Sequence, residues 1–449
     1  MTKSETMATT PPKQKAFLVG VDIKSNQGLL PIEDSLEELG MLADTAGLEV
    51  VGELFQRLDK PHGATYIGSG KVEEVILLVE ELEAEVIIFD DELSPRHIRE
   101  LEKRVNEKIG EDRIAILDRT ALILDIFALH ASTSEGKLQV ELAQYQYRLP
   151  RLTRAWTHLA RQSGGSGGRS GAGGVGLRGP GETQLEMDRR DILQRISFLK
   201  KELEKVRAHR SRHRKKRQMN KIPSIALVGY TNAGKSTLLN QLTKANVFAA
   251  NQLFATLDPT TRKVVLPGGT EVLLSDTVGF IQKLPTQLIA AFRATLEEIN
   301  EADLLLHVID MSHPNADAQF LSVCETLKEI EADEVPVINV LNKIDRFPNT
   351  DLPAFAPSEI DNPVFISALR DQGMEELFSR IEDELLVDYI EISVLLPYNE
   401  GKLISLFHQY GNVESAIHLE NGVEIKGVVP QHLLRTFEPF ATKIQQMNR

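Results

Sequence analysis

One segment narrows the possible folds of this chain more than any other. Residues 229–236 read Gly-Tyr-Thr-Asn-Ala-Gly-Lys-Ser and lie between a short apolar strand, Ile225–Val228, and a helix-like segment, Thr237–Leu242. In that setting the glycines let backbone N–H groups surround phosphates, and the start of the helix adds a favourable dipole. The pattern predicts a phosphate loop in an α/β domain. The expected contacts are Gly229, Tyr230, Thr231, Asn232, Ala233, Gly234, Lys235, Ser236 and Thr237.

Two side chains of this loop have specific expected tasks. Lys235 places a positive charge at the β- and γ-phosphates, so it is a candidate catalytic residue. The Ser236 hydroxyl is a candidate Mg²⁺ ligand. Mg²⁺ is therefore the expected cofactor.

A second motif follows the apolar strand Val272–Leu274. It begins at Asp276, whose carboxylate can hold Mg²⁺ through water. It ends at Gly279, whose N–H can contact the γ-phosphate and assist catalysis. The expected nucleotide contacts are Asp276, Thr277, Val278 and Gly279.

Two further motifs address the base. Strand Val335–Val340 leads to Asp345, whose carboxylate can accept hydrogen bonds from both N1–H and the exocyclic amine of guanine. Adenine offers no such donor pair, so the site selects guanine. After strand Val364–Ile366, a backbone N–H can reach the guanine oxygen. The expected contacts are Asn342, Lys343, Asp345, Ser367, Ala368 and Leu369.

A switch loop is expected between the phosphate loop and Asp276, within residues 254–262. It needs one threonine that reaches Mg²⁺ and the γ-phosphate, and three are available. Thr256 is preferred, as metal ligand and catalytic residue, and Thr261 is second. The expected nucleotide contacts are Phe254, Ala255 and Thr256.

The remaining chain predicts a multidomain α/β protein, because 449 residues exceed what one hydrophobic core supports. After a disordered tail, 1–14, strands and helices alternate over 15–134 and predict a small parallel-sheet domain. The GTP-site motifs lie in a domain at 222–386. Residues 387–449 predict a small α+β domain with a strand, a helix, a hairpin turning at Asn421–Gly422, and a final helix.

Residues 135–221 have a different pattern. Two apolar seams with alternating spacings of four and three, from Leu138 to Leu159 and from Ile192 to Val206, predict an antiparallel helical hairpin of the coiled-coil type. Pro150 should kink or split its first helix. The intervening residues 163–181 contain ten glycines in nineteen positions, either as a flexible connector or as a mobile finger that enters a polyanionic cavity.

Charge is segregated along the chain. Residues 136–221 carry 21 basic and 7 acidic side chains, a local +14 in a chain whose net charge is −14. Such asymmetry favours one surface made for an anionic partner. The candidate RNA contacts are Arg169, Arg178, Arg210, Arg212, Arg214, Lys215, Lys216 and Arg217.

Three patterns in the N-terminal domain are weaker. Gly68-Ser69-Gly70-Lys71 looks like a truncated phosphate loop, or a plain helix start. Asp90 and Asp91 follow an apolar strand and are either metal ligands or solvated strand-end acids. Asp118-Arg119-Thr120 can cap the next helix.

These motifs together resemble the Obg–HflX group of GTPases, and specifically the HflX family. Besides the nucleotide motifs, the resemblance includes Tyr66–Lys71, Asp118–Thr120, Gly176–Gln184 and the Phe254–Leu257 switch pattern, which supports Thr256. It covers the whole chain and implies a GTPase that binds the large ribosomal subunit and its rRNA. It also implies the splitting or rescue of stalled ribosomes under stress, with the glycine-rich finger near the peptidyl-transferase region.

The resemblance adds details about turnover. Phe280 follows Gly279 where many GTPases carry the glutamine that orients water, so slow intrinsic hydrolysis is expected, stimulated by a partner. Asn232 is the place where several related GTPases bind K⁺, or it stabilises the loop. Some family members are reported to use the N-terminal domain for ATP.

The sequence also limits the location. One cysteine, Cys324, excludes a disulfide framework within one chain and fits a reducing cytosol. No apolar run approaches the length of a membrane span, and the polar N-terminus is not a secretory signal. We expect a cytoplasmic monomer that associates with the ribosome or a membrane surface.

Overall fold

A computed structural model describes residues 13–24, 29–110, 113–152, 184–220, 222–244, 253–254, 260–283, 296, 298–347, 360, 362–385, 389–430 and 433–445. The multidomain α/β class predicted above is confirmed. Among the described residues, no helix is both long and apolar enough to cross a membrane.

The N-terminal part is a four-stranded parallel sheet in the order β2-β1-β3-β4. All four residues of its third strand are buried, as expected for a strand covered by helices on both faces. The strands are β1 (Lys15–Ile23), β2 (Glu49–Leu58), β3 (Val86–Phe89) and β4 (Ala115–Asp118). The helices between them are α1 (Ile32–Thr45), α2 (Ser69–Glu81) and α3 (Pro95–Ile109).

The carboxyl end of β4 leads directly into α4 (Arg119–His130). The Asp118 carboxylate accepts a hydrogen bond from the Ala121 N–H at 2.8 Å, which satisfies one of the orphan donors of the helix start. The capping role expected for Asp118 is therefore confirmed. Similarly, α2 begins just after Gly68, whose N–H donates to Gln56 Oε1 at 2.9 Å, and Lys71 pairs with Glu74. This segment is a helix start, and nucleotide binding there stays a prediction.

One N-terminal expectation was wrong. A strand-end acid is commonly solvated, but the Asp90 side chain is 0% exposed and forms an ion pair with Arg119 at 2.7 Å. Burial of a carboxylate is tolerated when a charged partner and hydrogen bonds replace its water. Asp91 is partly exposed, at 19% of its side chain.

Two helices, α5 and α6, follow the N-terminal sheet in the chain. α5 (Ser134–Arg148) ends two residues before Pro150, which lies in a 3₁₀ turn, Leu149–Arg151. The residues after Leu152 lie outside the described part of the chain, so a kink or split of the first helix at Pro150 stays a prediction. The second helix, α6, covers Gln184–Asn220. Its seam packs against that of α5 in one buried cluster that includes Leu142, Ile196, Leu199 and Leu203. The glycine-rich segment with Arg169 and Arg178 lies outside the described residues.

The nucleotide-site motifs lie on a six-stranded sheet in the order β10-β9-β8-β5-β7-β6. All its pairs are parallel except β6 with β7. The strands are β5 (Ser224–Val228), β6 (Thr260–Val265), β7 (Glu271–Asp276), β8 (Leu304–Asp310), β9 (Val337–Asn342) and β10 (Val364–Phe365). The helices are α7 (Lys235–Thr243), α8 (Ala316–Glu329) and α9 (Met374–Leu385).

The C-terminal part is an antiparallel sheet in the order β12-β13-β11-β14. Its elements are β11 (Tyr389–Leu396), α10 (Gly401–Tyr410), β12 (Asn412–Leu419), β13 (Gly422–Pro430), α11 (Leu434–Phe437) and β14 (Ala441–Gln445).

Two C-terminal expectations need correction. Leu419 pairs with Gly422, so the two turn residues are Glu420 and Asn421, one position earlier than predicted. The chain also adds the strand β14 after the short α11, where only a helix was expected. β14 is an edge strand with a single neighbour, which leaves little pattern in the sequence.

Two compact units emerge from the fold. The first contains residues 1–208, 250–258 and 279–294, and the second contains 209–249, 259–278 and 295–449. Of the described residues, 253–254 and 279–283 therefore belong to the same unit as the N-terminal sheet, although they were predicted within the 222–386 domain. The predicted domain bounds stay a prediction.

Candidate nucleotide-binding site

The phosphate loop joins β5 to α7, and two of its glycines have no room for a side chain. Gly229 has a φ of 148°, and a Cβ there would lie 2.3 Å from the carbonyl oxygen of Val308. Gly234 has a φ of 99°, and a Cβ there would lie 2.3 Å from Asn342 Nδ2. Real Cβ contacts are never so short, so the backbone path of the loop requires glycine at both positions.

Lys235, the first residue of α7, is buried with its ammonium group against the loop. Its Nζ donates to the carbonyl oxygens of Gly229 at 2.9 Å and Tyr230 at 2.7 Å. Burial lowers the pKa of Lys235 to about 8, and the charge of Asp276 opposes that effect. A buried ammonium group held by backbone carbonyls gains stability when an anion binds beside it.

This pKa predicts proton uptake on nucleotide binding. At pH 8.5 most Lys235 side chains of the free protein are neutral, and bound phosphates should raise the pKa again. We expect an uptake of roughly three-quarters of a proton per GDP at pH 8.5, falling towards zero at pH 6.5. Calorimetry in two buffers with different ionisation enthalpies measures it. The Lys235→Arg variant is the control, because a guanidinium stays charged and should take up less.

Two of the three expected magnesium ligands lie together, and the third, Thr256, is outside the described residues. Ser236 Oγ donates to Asp276 Oδ2 at 2.7 Å. The adjacent Thr277 hydroxyl donates to the Leu227 carbonyl at 2.6 Å, which ties the second motif to β5. Hydroxyl and carboxylate oxygens are the hard donors that Mg²⁺ prefers, so these residues fit the ion. Ser236 and Asp276 would hold it, and Mg²⁺ neutralises phosphate charge when bound.

The base-binding motifs are joined by one buried side chain. Asn342 Nδ2 donates to the Ala233 carbonyl at 2.9 Å, and Asn342 Oδ1 accepts from the Ala368 N–H at 3.0 Å. Asn342 thereby links the phosphate loop to the last motif. Asp345 Oδ1 accepts from the Ser367 hydroxyl at 2.5 Å, which orients the carboxylate expected to read guanine.

Sequence reasoning missed Asp310, which organises this site through Lys343. Lys343 Nζ pairs with Asp310 Oδ2 at 2.6 Å and donates to the Asn232 carbonyl at 2.9 Å. Lys343 also has a φ of 67°, a left-handed conformation that is costly outside glycine and is held here by these contacts. A signal was available, because Asp310 ends the fully buried strand β8 as Asp276 ends β7.

Other expected site residues are placed differently. Gly279 and Phe254 belong to the first unit, whereas the phosphate loop and base motifs belong to the second. Thr261 lies in β6, with its hydroxyl 2.9 Å from that of Ser275. Ala255 and Thr256 lie outside the described residues. The helix backbone of α6 is described through Asn220, but the side chains of its basic end, residues 209–220, are not.

A phosphate loop beside the strand-end carboxylate of Asp276, with Asn342 at the end of β9 and Asp345 just after it, is the arrangement of a P-loop GTPase. The comparisons agree, since residues 224–343 match the family model described as "50S ribosome-binding GTPase". Residues 33–128 match "GTP-binding GTPase N-terminal", and 130–217 match "GTP-binding GTPase Middle Region".

Similar proteins give the family. The chain is 46% identical to "GTPase HflX" of Alkalihalophilus pseudofirmus over 91% of this chain and 90% of that protein. It is 43% identical to "GTPase HflX" of Escherichia coli over 87% and 88% of the two chains. The chain therefore belongs to the HflX family of GTPases. A solved structure of a Sulfolobus solfataricus GTP-binding protein with GDP is 27% identical, with a TM-score of 0.41, covering 83% of this chain and 98% of that one.

Proposed function

We propose that this chain is a ribosome-binding GTPase. It docks on the large ribosomal subunit with GTP bound, hydrolyses GTP to GDP and phosphate, and is then released. The match of residues 224–343 to a ribosome-binding GTPase family carries the proposal. The local charge of +14 over residues 136–221 supports it, because rRNA is a polyanion. The proposed RNA contacts are Arg169, Arg178, Arg210, Arg212, Arg214, Lys215, Lys216 and Arg217.

Each residue of the nucleotide site has its own role in binding and hydrolysis of GTP. Lys235 stabilises the charge that develops on the β- and γ-phosphates, and Ser236, Asp276 and Thr256 ligate Mg²⁺. The Gly279 N–H binds the γ-phosphate, so it distinguishes GTP from GDP. Asp345 selects the guanine base. The nucleotide state is thereby read by the two segments around Thr256 and Gly279.

Turnover without the ribosome is slow in this proposal. Phe280 cannot orient the attacking water, and its side chain is only 1% exposed. A partner or a cation must complete the site. Asn232 is the proposed K⁺ ligand, and its exposed side chain lies on a loop residue with a φ of 61°.

The finer role is the splitting or rescue of stalled ribosomes under stress, by a cytoplasmic monomer. The glycine-rich segment 163–181 acts as the finger that enters an rRNA cavity. An ATPase activity of the N-terminal domain, through residues 68–71, is a separate proposal of lower rank, because that segment folds as a helix start.

The deciding experiment measures GTP hydrolysis by the full chain with and without large ribosomal subunits, in KCl and in NaCl. We expect stimulation of at least tenfold by the subunit, because a missing catalytic group is supplied on docking. A requirement for K⁺ would support Asn232 as its ligand. GTP binding without stimulation in either salt would overturn the ribosome-activated cycle and favour a GTP-gated RNA-binding scaffold.

A further inference from the structure

The residues that directly follow Gly279 are buried and belong to the first unit. Phe280 and Ile281 are each 1% exposed, and Gln282 is 6% exposed. A loop that only had to sense the γ-phosphate could remain in solvent. Instead, these residues are part of the same compact unit as the N-terminal sheet.

Two polar side chains anchor the end of this segment. Lys283 Nζ lies 2.6 Å from Asp90 Oδ2 and 2.6 Å from Asp91 Oδ1, at the carboxyl end of β3. Gln282 Nε2 donates to Ser35 Oγ at 2.8 Å, and Ser35 Oγ donates to Asp90 Oδ2 at 2.7 Å. The lysine therefore enters a site where its acidic partners are themselves held by other residues.

The acidic cluster around Asp90 is ordered by other residues and is arranged to bind a cation. Arg119 pairs with Asp90 Oδ1 at 2.7 Å and also with Glu38, so Asp90 is fixed from both of its oxygens. The network contains three carboxylates and two cations: Arg119 pairs with Glu38 and Asp90, and Lys283 pairs with Asp90 and Asp91. Burial and the Asp91 charge raise the pKa of the neighbouring Tyr66, which stays neutral. Without Lys283 the three carboxylates would face one cation, so the formal charge of this largely buried cluster would change from −1 to −2.

The backbone conformation of Lys283 is a second indication that its ion pairs hold this segment in place. Lys283 has a φ of 54°, a left-handed conformation that non-glycine residues adopt only when surrounding contacts impose it. The same is true in the other switch segment, where Phe254 has a φ of 57° and is 2% exposed. Its ring packs edge-on against Phe127 of α4, with centroids 4.6 Å apart. Both switch segments are thus anchored on N-terminal elements at a residue with an unusual backbone.

We propose that Asp90 and Asp91 are positioning residues for the nucleotide reaction, acting through Lys283 on Gly279. Lys283 lies four positions after Gly279, a reach of at most about 14 Å. Fixing one end of so short a segment removes much of the conformational entropy that Gly279 would lose on meeting the γ-phosphate. The anchor therefore favours the GTP complex over the GDP complex, since GDP has no γ-phosphate to contact Gly279.

This inference deepens the proposed function and rests on it, because it assumes that Gly279 senses GTP. The test compares two affinities of the full chain: for a fluorescent GDP and for a non-hydrolysable GTP analogue. The variants are Lys283→Met and Asp91→Asn. Asp91 is the gentler target because its side chain is 19% exposed, whereas Asp90 is fully buried and also pairs with Arg119.

We expect each variant to lower the affinity for the GTP analogue roughly tenfold, a typical coupling between sites, and to leave the GDP affinity within about twofold. Lys283→Arg should restore the analogue affinity, because a guanidinium can reach both carboxylates. The matched control is Lys263→Met, which breaks a 2.6 Å pair with Glu271 between two side chains that are about half exposed. It should change neither affinity.

The measured affinities distinguish the positioning role of Asp90 and Asp91 from the sensing of the γ-phosphate by Gly279. An unchanged or increased GTP-analogue affinity in Lys283→Met overturns the positioning role. An equal loss for GDP and the analogue does the same, because it indicates general damage to the fold. Wild-type protein that binds GDP and the analogue with the same affinity would overturn the sensing by Gly279 in the proposed function itself.

Discussion

Replacing Lys235 with alanine should lower kcat/KM for GTP by about 10²–10³-fold, the usual cost of removing one preorganised electrostatic group. The ammonium group is buried, is held by the carbonyls of Gly229 and Tyr230, and has its pKa lowered to about 8. It is therefore poised to gain an anionic partner when the β- and γ-phosphates arrive. Steady-state phosphate release with saturating Mg²⁺ measures the loss.

Unfolding should not explain that loss. Burial lowers the pKa of Lys235 from 10.5 to about 8, which means that the fold disfavours the charged lysine by about 3 kcal/mol near neutral pH. Alanine removes that cost but leaves two backbone carbonyls without a charged donor, which costs about 1.5–3 kcal/mol each. The two effects nearly cancel or leave a modest loss, so a thermal unfolding transition should persist.

The Lys235→Ala variant also distinguishes GTP hydrolysis at the phosphate loop from any ATP hydrolysis in the N-terminal domain. ATP turnover that survives Lys235→Ala would belong to the N-terminal domain, with residues 68–71 as the first place to examine. Lys235→Arg keeps the charge but not the shape of the ammonium group, and should recover only part of the activity. If Lys235→Ala retained wild-type kcat/KM, the phosphate loop described here would not be the catalytic site.

The nucleotide motifs could be found from sequence because each is local. Each follows a strand whose apolar residues are contiguous, and the chemistry needs particular side chains at fixed offsets from its end. Asp276 is the last residue of β7, and Ser236 is the second residue of α7. Once the sheet forms, the offsets alone bring their oxygens to 2.7 Å. The parallel N-terminal sheet was predictable for the same reason.

What sequence could not show depends on distant partners. Nothing local distinguishes Asp90 from Asp91, yet Asp90 is buried because Arg119, 29 residues later, and Lys283, 193 residues later, converge on it. The turn register differed by one residue because Gly422, with a φ of 156°, sits in β13 against Leu396 and not within the turn. A Cβ at position 422 would lie 2.4 Å from the carbonyl oxygen of Leu396, the last residue of β11.

Replacing Asp345 with asparagine should lower the affinity for GDP by about 10³-fold and raise the affinity for xanthosine diphosphate. Guanine presents two donors, N1–H and the exocyclic amine, to two carboxylate oxygens. An asparagine offers one acceptor and one donor, so its NH₂ faces the exocyclic amine and both are left unpaired in a closed site. Xanthine carries a carbonyl at that position, which accepts from the new NH₂ group. Competition between the two diphosphates for a fluorescent nucleotide measures the exchange.

The matched control is Asp371→Asn, in the loop that follows the last base motif. Asp371 is exposed and has a φ of 56°, a conformation that asparagine tolerates well, so this variant should bind GDP as the wild type does. In Asp345→Asn, the Ser367 hydroxyl that lies 2.5 Å from Asp345 Oδ1 can still donate to the amide oxygen, which holds the new side chain in place. That retained bond turns the amide NH₂ towards the base. A loss of GDP affinity without any gain for the xanthine nucleotide would therefore show that Asp345 supports the loop and does not read the base.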